Sequence, residues 1–319
     1  MLINTAKEKI LVIKHGALGD IVQGFDAFAS LRAGNQNAYI ALMTSTGFVS
    51  LAQIMPWFDD VIVDPRGGLL NFIASLRIRR YLQQDWSVIV DMQCSGRTKK
   101  YFSYFRSSTT RWIGTAPGCS DPLHDLTGVN NRHRMIMAAE LAGGKNQKAD
   151  MAWLTSDTGK FDEGLSIDTS TTYAVLVPGC SLAKPQKRWP AGYFAAVGND
   201  LLAKSIKVFA VGTAEDREVV DRVLEGAPEV IDLCGKTNLP GLARLLRGAS
   251  YVIGNDTGPV FLAAKIGVPT LMMMGPDTDP SMSAPVGIAA SWLRAVPISG
   301  ITVPAALSSL YDLGEVVKS

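Results

Sequence analysis

Short apolar runs alternate with helix-length amphipathic stretches along the whole chain. KILVIKH (9–15) predicts a buried strand and residues 20–31 a helix. AYIALMT (38–44) predicts the next strand, GFVSLAQIM (47–55) a helix stopped by Pro56, and VIVDP (61–65) a further strand. LLNFIASLRIRRYLQQ (69–84) predicts a helix, and WSVIVDMQ (86–93) a strand that ends in polar residues. Strands that alternate with helices imply βαβ units and a parallel sheet. A second such series starts near residue 172, with strands at 173–179 and 206–212 and helices at 190–204 and 214–226. VIDLCG, LPGLARLLRGA, YVIGND, GPVFLAAKIG and PTLMMMG continue it. Residues 155–171 are polar and weakly patterned, as a linker is. The pattern therefore predicts two α/β domains, 1–165 and 166–319, with a cleft between them; the last helix has the option of packing back on the first domain.

Composition narrows this only slightly. The 319 residues suffice for two cores, and 47% hydrophobic with 19% charged residues is a globular composition. A net charge of +2 implies no global field for a polyanion, so nucleic acid is not an expected partner. Cys94, Cys119, Cys180 and Cys234 form no CxxC pair, and His15, His124 and His133 have no metal-ligand spacing. No metal site is expected. There is no secretory signal pattern and no run near the ~20 apolar residues that cross a bilayer. The expectation is a cytoplasmic protein, at most peripheral on a membrane surface.

Several stretches carry polar residues where a strand hands over to a helix. In LVIKHGALGD the glycines allow a tight turn, and Asp20 either caps the helix or does chemistry there. PGCSLAKPQKRWP (178–190) follows a strand and gathers Ser181, Lys184, Lys187 and Arg188, which suits a diphosphate or makes a solvated basic loop. In YVIGNDTGPVFLAAKIG, Thr257 and Gly258 offer N–H groups at a helix start, and Asp256 can accept hydrogen bonds from the loop or a ligand hydroxyl. In VGTAEDRE, Glu215 and Asp216 stand where an acid can hold ribose hydroxyls or favour the first turn of a helix. Asp277 and Asp279 of GPDTDP spell a DxD, better read as loop residues. Basic residues Arg77, Arg79, Arg80, Arg97, Lys99, Lys100, Arg106 and Arg111 cluster in the first half. An anionic acceptor would fit such a lining, although surface charge accounts for most of them.

Taken in order, these pieces resemble glycosyltransferase family 9, the lipopolysaccharide heptosyltransferase family. LVIKHGALGD is similar to the family's opening strand and G-D turn, and IVDMQCSGRTKKY to its D-x-Q element. PGCS with KRWP, GTAED and GNDTGPVFLAAKIGVPTLMMMGPDTDP match its nucleotide-side signature in order and spacing. The resemblance implies a GT-B fold: two Rossmann-like domains with parallel sheets facing across a cleft, the C-terminal one binding an ADP-sugar. It implies inverting transfer of heptose from ADP-L-glycero-β-D-manno-heptose to the inner core of lipopolysaccharide or a related glycan. The partners are then a nucleotide-sugar donor and a lipid-linked glycan acceptor, with peripheral contact to the inner membrane as an option. No cofactor is implied, because the ADP-sugar is a substrate. Asp20 takes the place of the general base, and Lys187 faces the diphosphate. Ser181, Lys184, Glu215 with Asp216 as its rival, Asp256, Thr257 and Gly258 line the nucleotide side. Gly19, Gln93, Arg97 and Lys100 line the acceptor side. One departure stands out: the family commonly has D-T-G-x-x-H, and here Phe261 replaces the histidine.

The chemistry follows independently of the resemblance. A carboxylate within reach takes the proton from an attacking hydroxyl. A lysine and helix-start N–H groups stabilise the charge that develops on the departing diphosphate. Two other readings share the two-domain plan: a sugar-nucleotide 2-epimerase, which needs no acceptor, and a two-lobed non-catalytic binding protein. A nicotinamide dehydrogenase is disfavoured, since the chain has no GxGxxG.

Overall fold

The computed structural model describes residues 7–66, 72–105, 107–155, 171–181 and 183–318. The chain divides into two compact units, Met1–Trp153 and Leu154–Ser319. The expected boundary after residue 165, most of the 155–171 linker and Arg106 lie outside the described residues.

The first unit contains β1 (Lys9–Ile13), α1 (Leu18–Gln23), α2 (Phe25–Gly34), β2 (Tyr39–Ser45), α3 (Val49–Gln53) and β3 (Asp60–Asp64). There follow α4 (Phe72–Leu82), β4 (Val88–Asp91), α5 (Gly96–Phe105), β5 (Arg111–Gly114), β6 (Asp121–Pro122) and α6 (Asn131–Leu141). The short α7 (Ala152–Thr155) spans the division. The six strands run in the order β3-β2-β1-β4-β5-β6, and every neighbouring pair is parallel. Helices cover both faces of such a sheet, so its central strands are continuously apolar. Ile10 to Ile13 and Val88 to Val90 are accordingly buried.

The helix expected over 20–31 starts earlier and has a break. Gly16, at φ +93, turns the chain out of β1, and a Cβ there would meet the Phe48 ring at 2.7 Å. Ala17, in extended conformation, is the N-cap of α1, and α1 gives way to α2 at Gly24. Asp20 is therefore the third residue of the helix and not its cap.

The second unit contains β7 (Tyr173–Val177), α8 (Ala191–Ala203), β8 (Lys207–Ala210), α9 (Arg217–Gly226), β9 (Ile231–Asp232) and α10 (Leu239–Arg247). It continues with β10 (Tyr251–Asn255), α11 (Gly258–Ile266), β11 (Thr270–Met274), α12 (Pro280–Ser283), β12 (Ala290–Arg294) and α13 (Val303–Lys318). Its parallel sheet has the order β12-β11-β10-β7-β8-β9. Counted from the start of its own unit, each sheet is ordered 3-2-1-4-5-6. Trp189, Phe194, Leu176 and Ile253 fill the second core, and Ala306, Leu310 and Leu313 of α13 join it. That last helix packs on α8, β10, β11 and β12 of its own unit.

This strand order fixes where function belongs. The chain leaves adjacent strands in opposite directions at β1/β4 and again at β7/β10. A crevice opens there, beyond the carboxyl ends of the strands, and ligands of open parallel sheets bind in it. Among the described residues, no helix is long and apolar enough to cross a membrane.

Candidate active site

At the first switch point the exit of β1 is pinned from three sides. The backbone N–H of His15 donates to Gln93 Oε1 (3.0 Å), and its carbonyl accepts the Ser45 hydroxyl (2.7 Å). His15 Nε2 lies 2.9 Å from Asp64 Oδ2, both side chains being buried. Asp64 also accepts Arg97 Nη2 (3.0 Å) and Nε (3.2 Å), the Tyr101 hydroxyl and the N–H of Arg66 (2.8 Å). Burial pushes the Asp64 carboxyl up, but the neighbouring His15 and the hydrogen bonds from Tyr101 and Arg66 outweigh it and hold the group well below the usual carboxylate range. The D-x-Q element does the same work from β4. Asp91, fully buried, accepts the N–H groups of Gln93 (3.1 Å) and Cys94 (2.8 Å). Those bonds hold Cys94 at φ +48, which a non-glycine residue seldom adopts. Burial raises the Asp91 carboxyl despite them.

Asp20 stands on this frame half-buried, and among the described residues its carboxylate makes no hydrogen bond or ion pair. Behind it, Lys14 is 2% exposed. Burial lowers the Lys14 ammonium, and the charge of Asp20 works against that. Of the other residues marked for the acceptor side, Gly19 is buried and Lys100 is exposed on α5. Gln93 and Arg97 are partly engaged inward, Arg97 also lying over the Tyr101 ring at 5.4 Å. Asp64 and Tyr101 join this frame only in the folded chain. An acid that closes a buried strand just before Pro65 is the signal for Asp64.

The second switch point has the opposite character. The loop after β7 carries Lys187 toward the residue after β10: Lys187 Nζ donates to Asp256 Oδ2. Thr278, buried in the GPDTDP loop, donates to the same oxygen (2.6 Å). Fully buried Asn255 ties the two loops together, accepting the N–H of Trp189 (2.9 Å) and donating to the Pro178 carbonyl (2.8 Å). Thr257 is the N-cap of α11 without a side-chain cap bond, so Gly258 begins the helix with no acceptor inside it. Phe261 is buried one turn on. Ser181 and Lys184 are exposed, joined by a backbone bond from Lys184 N–H to the Ser181 carbonyl (3.0 Å).

The geometry separates the two rival acids after β8. Asp216 Oδ2 accepts both the N–H and the hydroxyl of Thr213 (2.9 Å each), a capping box. Its carboxylate also lies against Gly179, where a Cβ would come within 2.3 Å. Glu215 is exposed and makes no side-chain bond among the described residues. Asp277 and Asp279 are loop residues: one accepts Gln186 Nε2, and the other caps α12 through Ser281 N–H (2.9 Å).

A family model described as glycosyltransferase family 9 (heptosyltransferase) matches residues 130–297, more than half of the chain. The chain belongs to this family. The glycosyltransferase is 23% identical over 311 residues to "Lipooligosaccharide heptosyltransferase 2" of Haemophilus influenzae, covering 90% of this chain and 88% of the relative. Its fold is similar to that of the Escherichia coli ADP-heptose lps heptosyltransferase II (TM-score 0.75, 19% identity, 98% of this chain and 100% of that one). It is similar also to E. coli heptosyltransferase WaaC with ADP (TM-score 0.77, 20% identity, 96% and 99%). Two Rossmann-like α/β units of the GT-B class are thus the fold of this glycosyltransferase, as its motifs implied.

Proposed function

We propose that this glycosyltransferase moves a heptose from an ADP-heptose to the lipid-linked inner core of lipopolysaccharide, with inversion at the anomeric carbon. The observation that carries the reading is the contrast between the two switch points: after β1, a carboxylate with no partner among the described residues, and after β7, a lysine paired with Asp256 beside the helix start that follows β10. Asp20 accepts the proton of the attacking hydroxyl as the new glycosidic bond forms. The bond from the anomeric carbon to the β-phosphate oxygen breaks, and its electron pair leaves with ADP. Lys187 has three N–H donors and gives one to Asp256, which leaves donors for the diphosphate. The Gly258 N–H adds to them. Glu215 holds the ribose hydroxyls while Asp216 secures the loop. Phe261 offers no hydrogen bond, so the leaving charge falls on Lys187, Lys184 and the backbone.

An acceptor-free assay separates this from epimerisation, since an epimerase converts the donor alone. Asp20→Ala should abolish transfer from ADP-heptose and leave ADP affinity unchanged by calorimetry. Near wild-type turnover in that variant would remove Asp20 from the mechanism. A binding screen of ADP-heptose against UDP-, GDP- and TDP-sugars tests the donor, and tighter binding of a non-adenine donor would overturn it.

A further inference from the structure

We propose that the outward face of α4 is a docking surface for a bilayer of anionic phospholipid. The helix turns Ile78 and Leu82 into the core of the first unit. Its opposite face should be polar, yet Phe72 is 72% exposed, Ile73 76% and Leu76 47%. Single exposed apolar residues are ordinary, but three on one face of one helix are not scattered. At ~100° per residue they form one stripe, with Arg80 within it and Arg77 and Arg79 on its two sides. Neither α4 nor α5 contains an Asp or Glu. The adjoining α5 adds exposed Lys99, Lys100 and Tyr104. Asp85, beyond the end of α4, is paired with Lys9.

Apolar residues flanked by arginines are the composition of a helix that lies in the membrane interface. The aliphatic stems follow the apolar stripe while the guanidinium groups reach the headgroups. A depression of about 420 Å³ is lined by Leu76, Arg77, Arg80, Tyr81 and Gln84, so two arginines border it. Planar donor pairs of this kind suit phosphodiester oxygens. Topology places the surface usefully. Phe72, Ile73 and Leu76 occupy the first half of α4, which enters from the carboxyl end of β3, the sheet edge that also carries the Asp20 turn. A bilayer there lies on the side from which a lipid-linked acceptor arrives; that step alone rests on the activity proposed above.

Sedimentation of the full chain with sucrose-loaded vesicles tests the proposal. The protein should bind vesicles of equal phosphatidylglycerol and phosphatidylcholine, bind phosphatidylcholine alone far less, and weaken with salt. Changing Arg77, Arg79 and Arg80 together to Gln should weaken binding on the order of 100-fold, at ~1 kcal/mol for each basic residue near the surface. Changing Phe72, Ile73 and Leu76 together to Gln should weaken it at least about tenfold. The indole fluorescence of a Phe72→Trp variant should be quenched by brominated lipid, which decides the matter even where a triple variant melts early. No binding to the anionic vesicles, wild-type binding by both triple variants, or no quenching in Phe72→Trp overturns the proposal; capture of an acidic protein in place of lipid does so too. Transfer to a water-soluble acceptor is a separate readout that the triple change of Phe72, Ile73 and Leu76 should leave intact. Its failure in the wild-type protein, with vesicle binding retained, would fall on the activity and not on the surface.

Discussion

Asp64→Asn should cost the first unit about 3 kcal/mol of stability, although the residue touches no proposed substrate. The carboxylate is fully buried, lies 2.9 Å from His15 Nε2, and accepts from Tyr101, Arg97 and the Arg66 N–H. The amide keeps the shape but loses the charge and turns an NH₂ toward groups that are themselves donors. Breaking a buried ion pair by removing one partner costs ~3–5 kcal/mol. The low end applies here, because the Arg97 side chain is 25% exposed and can recover water. His15 and Tyr101, each about 1% exposed, cannot. For a unit of this size ~3 kcal/mol lowers the melting temperature by roughly 6–12 °C. Scanning calorimetry that resolves each unit's transition reads the effect directly. A shift under about 2 °C would refute the account of Asp64 as the anchor of the β1 exit.

The same residue predicts a pH dependence with a definite sign. Its folded pKa lies below its unfolded one, near ~3.9, so its stabilisation is complete above that value. It is lost only as the pH falls through the depressed folded value. The gap between wild type and Asp64→Asn should therefore stay flat from pH 8 to 5 and narrow in acid below about pH 4. A gap that closes near pH 6 would assign the effect to another group.

Lys187→Ala should weaken donor binding and lower kcat by on the order of 10²-fold in steady-state kinetics, and unchanged kinetics would dismiss the leaving-group role. Glu215→Gln should weaken ADP binding about tenfold with no change in melting temperature, whereas Asp216→Ala should lose ~1 kcal/mol of stability with its capping box; calorimetry and thermal melts together show whether the roles are reversed. Asn255→Ala orphans the Trp189 N–H and the Pro178 carbonyl, and should cost ~2–4 kcal/mol by denaturant unfolding at roughly 1–2 kcal/mol for each buried group.

The sequence pattern located most strands and helices because a parallel sheet buried on both faces leaves continuous apolar runs such as ILVI and VLV. It passed over β5 and β6 as strands of a few residues, where periodicity has too little length to register, and β12, whose residues are only partly buried. It showed that Lys187, Asp256 and Glu215 follow strands, since glycine and proline mark those turns. It did not show their partners. Asp64 and Arg97 are 33 residues apart, and Asn255 reaches Trp189 across 66; no local spacing reports such contacts. Glu215 and Asp216 were indistinguishable as neighbours until Asp216 was found against Gly179.

The deeper regularity is that one topology serves two opposite electrostatic tasks. Both sheets have the same strand order and place their crevice between the same two strands. What differs is the residue that follows each strand. After β1 and β4 come backbone groups pinned by Gln93, Ser45 and Asp91, and Asp20, whose carboxylate has no partner among the described residues. A neutral hydroxyl is what such a place can receive, because an anion would be repelled by Asp20. After β7 and β10 come Lys184, Lys187, Arg188 and a helix start, with Asp256 compensating only one of the cations. A diphosphate is what this place can receive, and Asp256 aims the lysine while leaving the loop net positive. The two halves are therefore not interchangeable despite their common fold: in the proposed transfer, nucleophile activation and leaving-group stabilisation need charges of opposite sign, and each sheet would supply one of them.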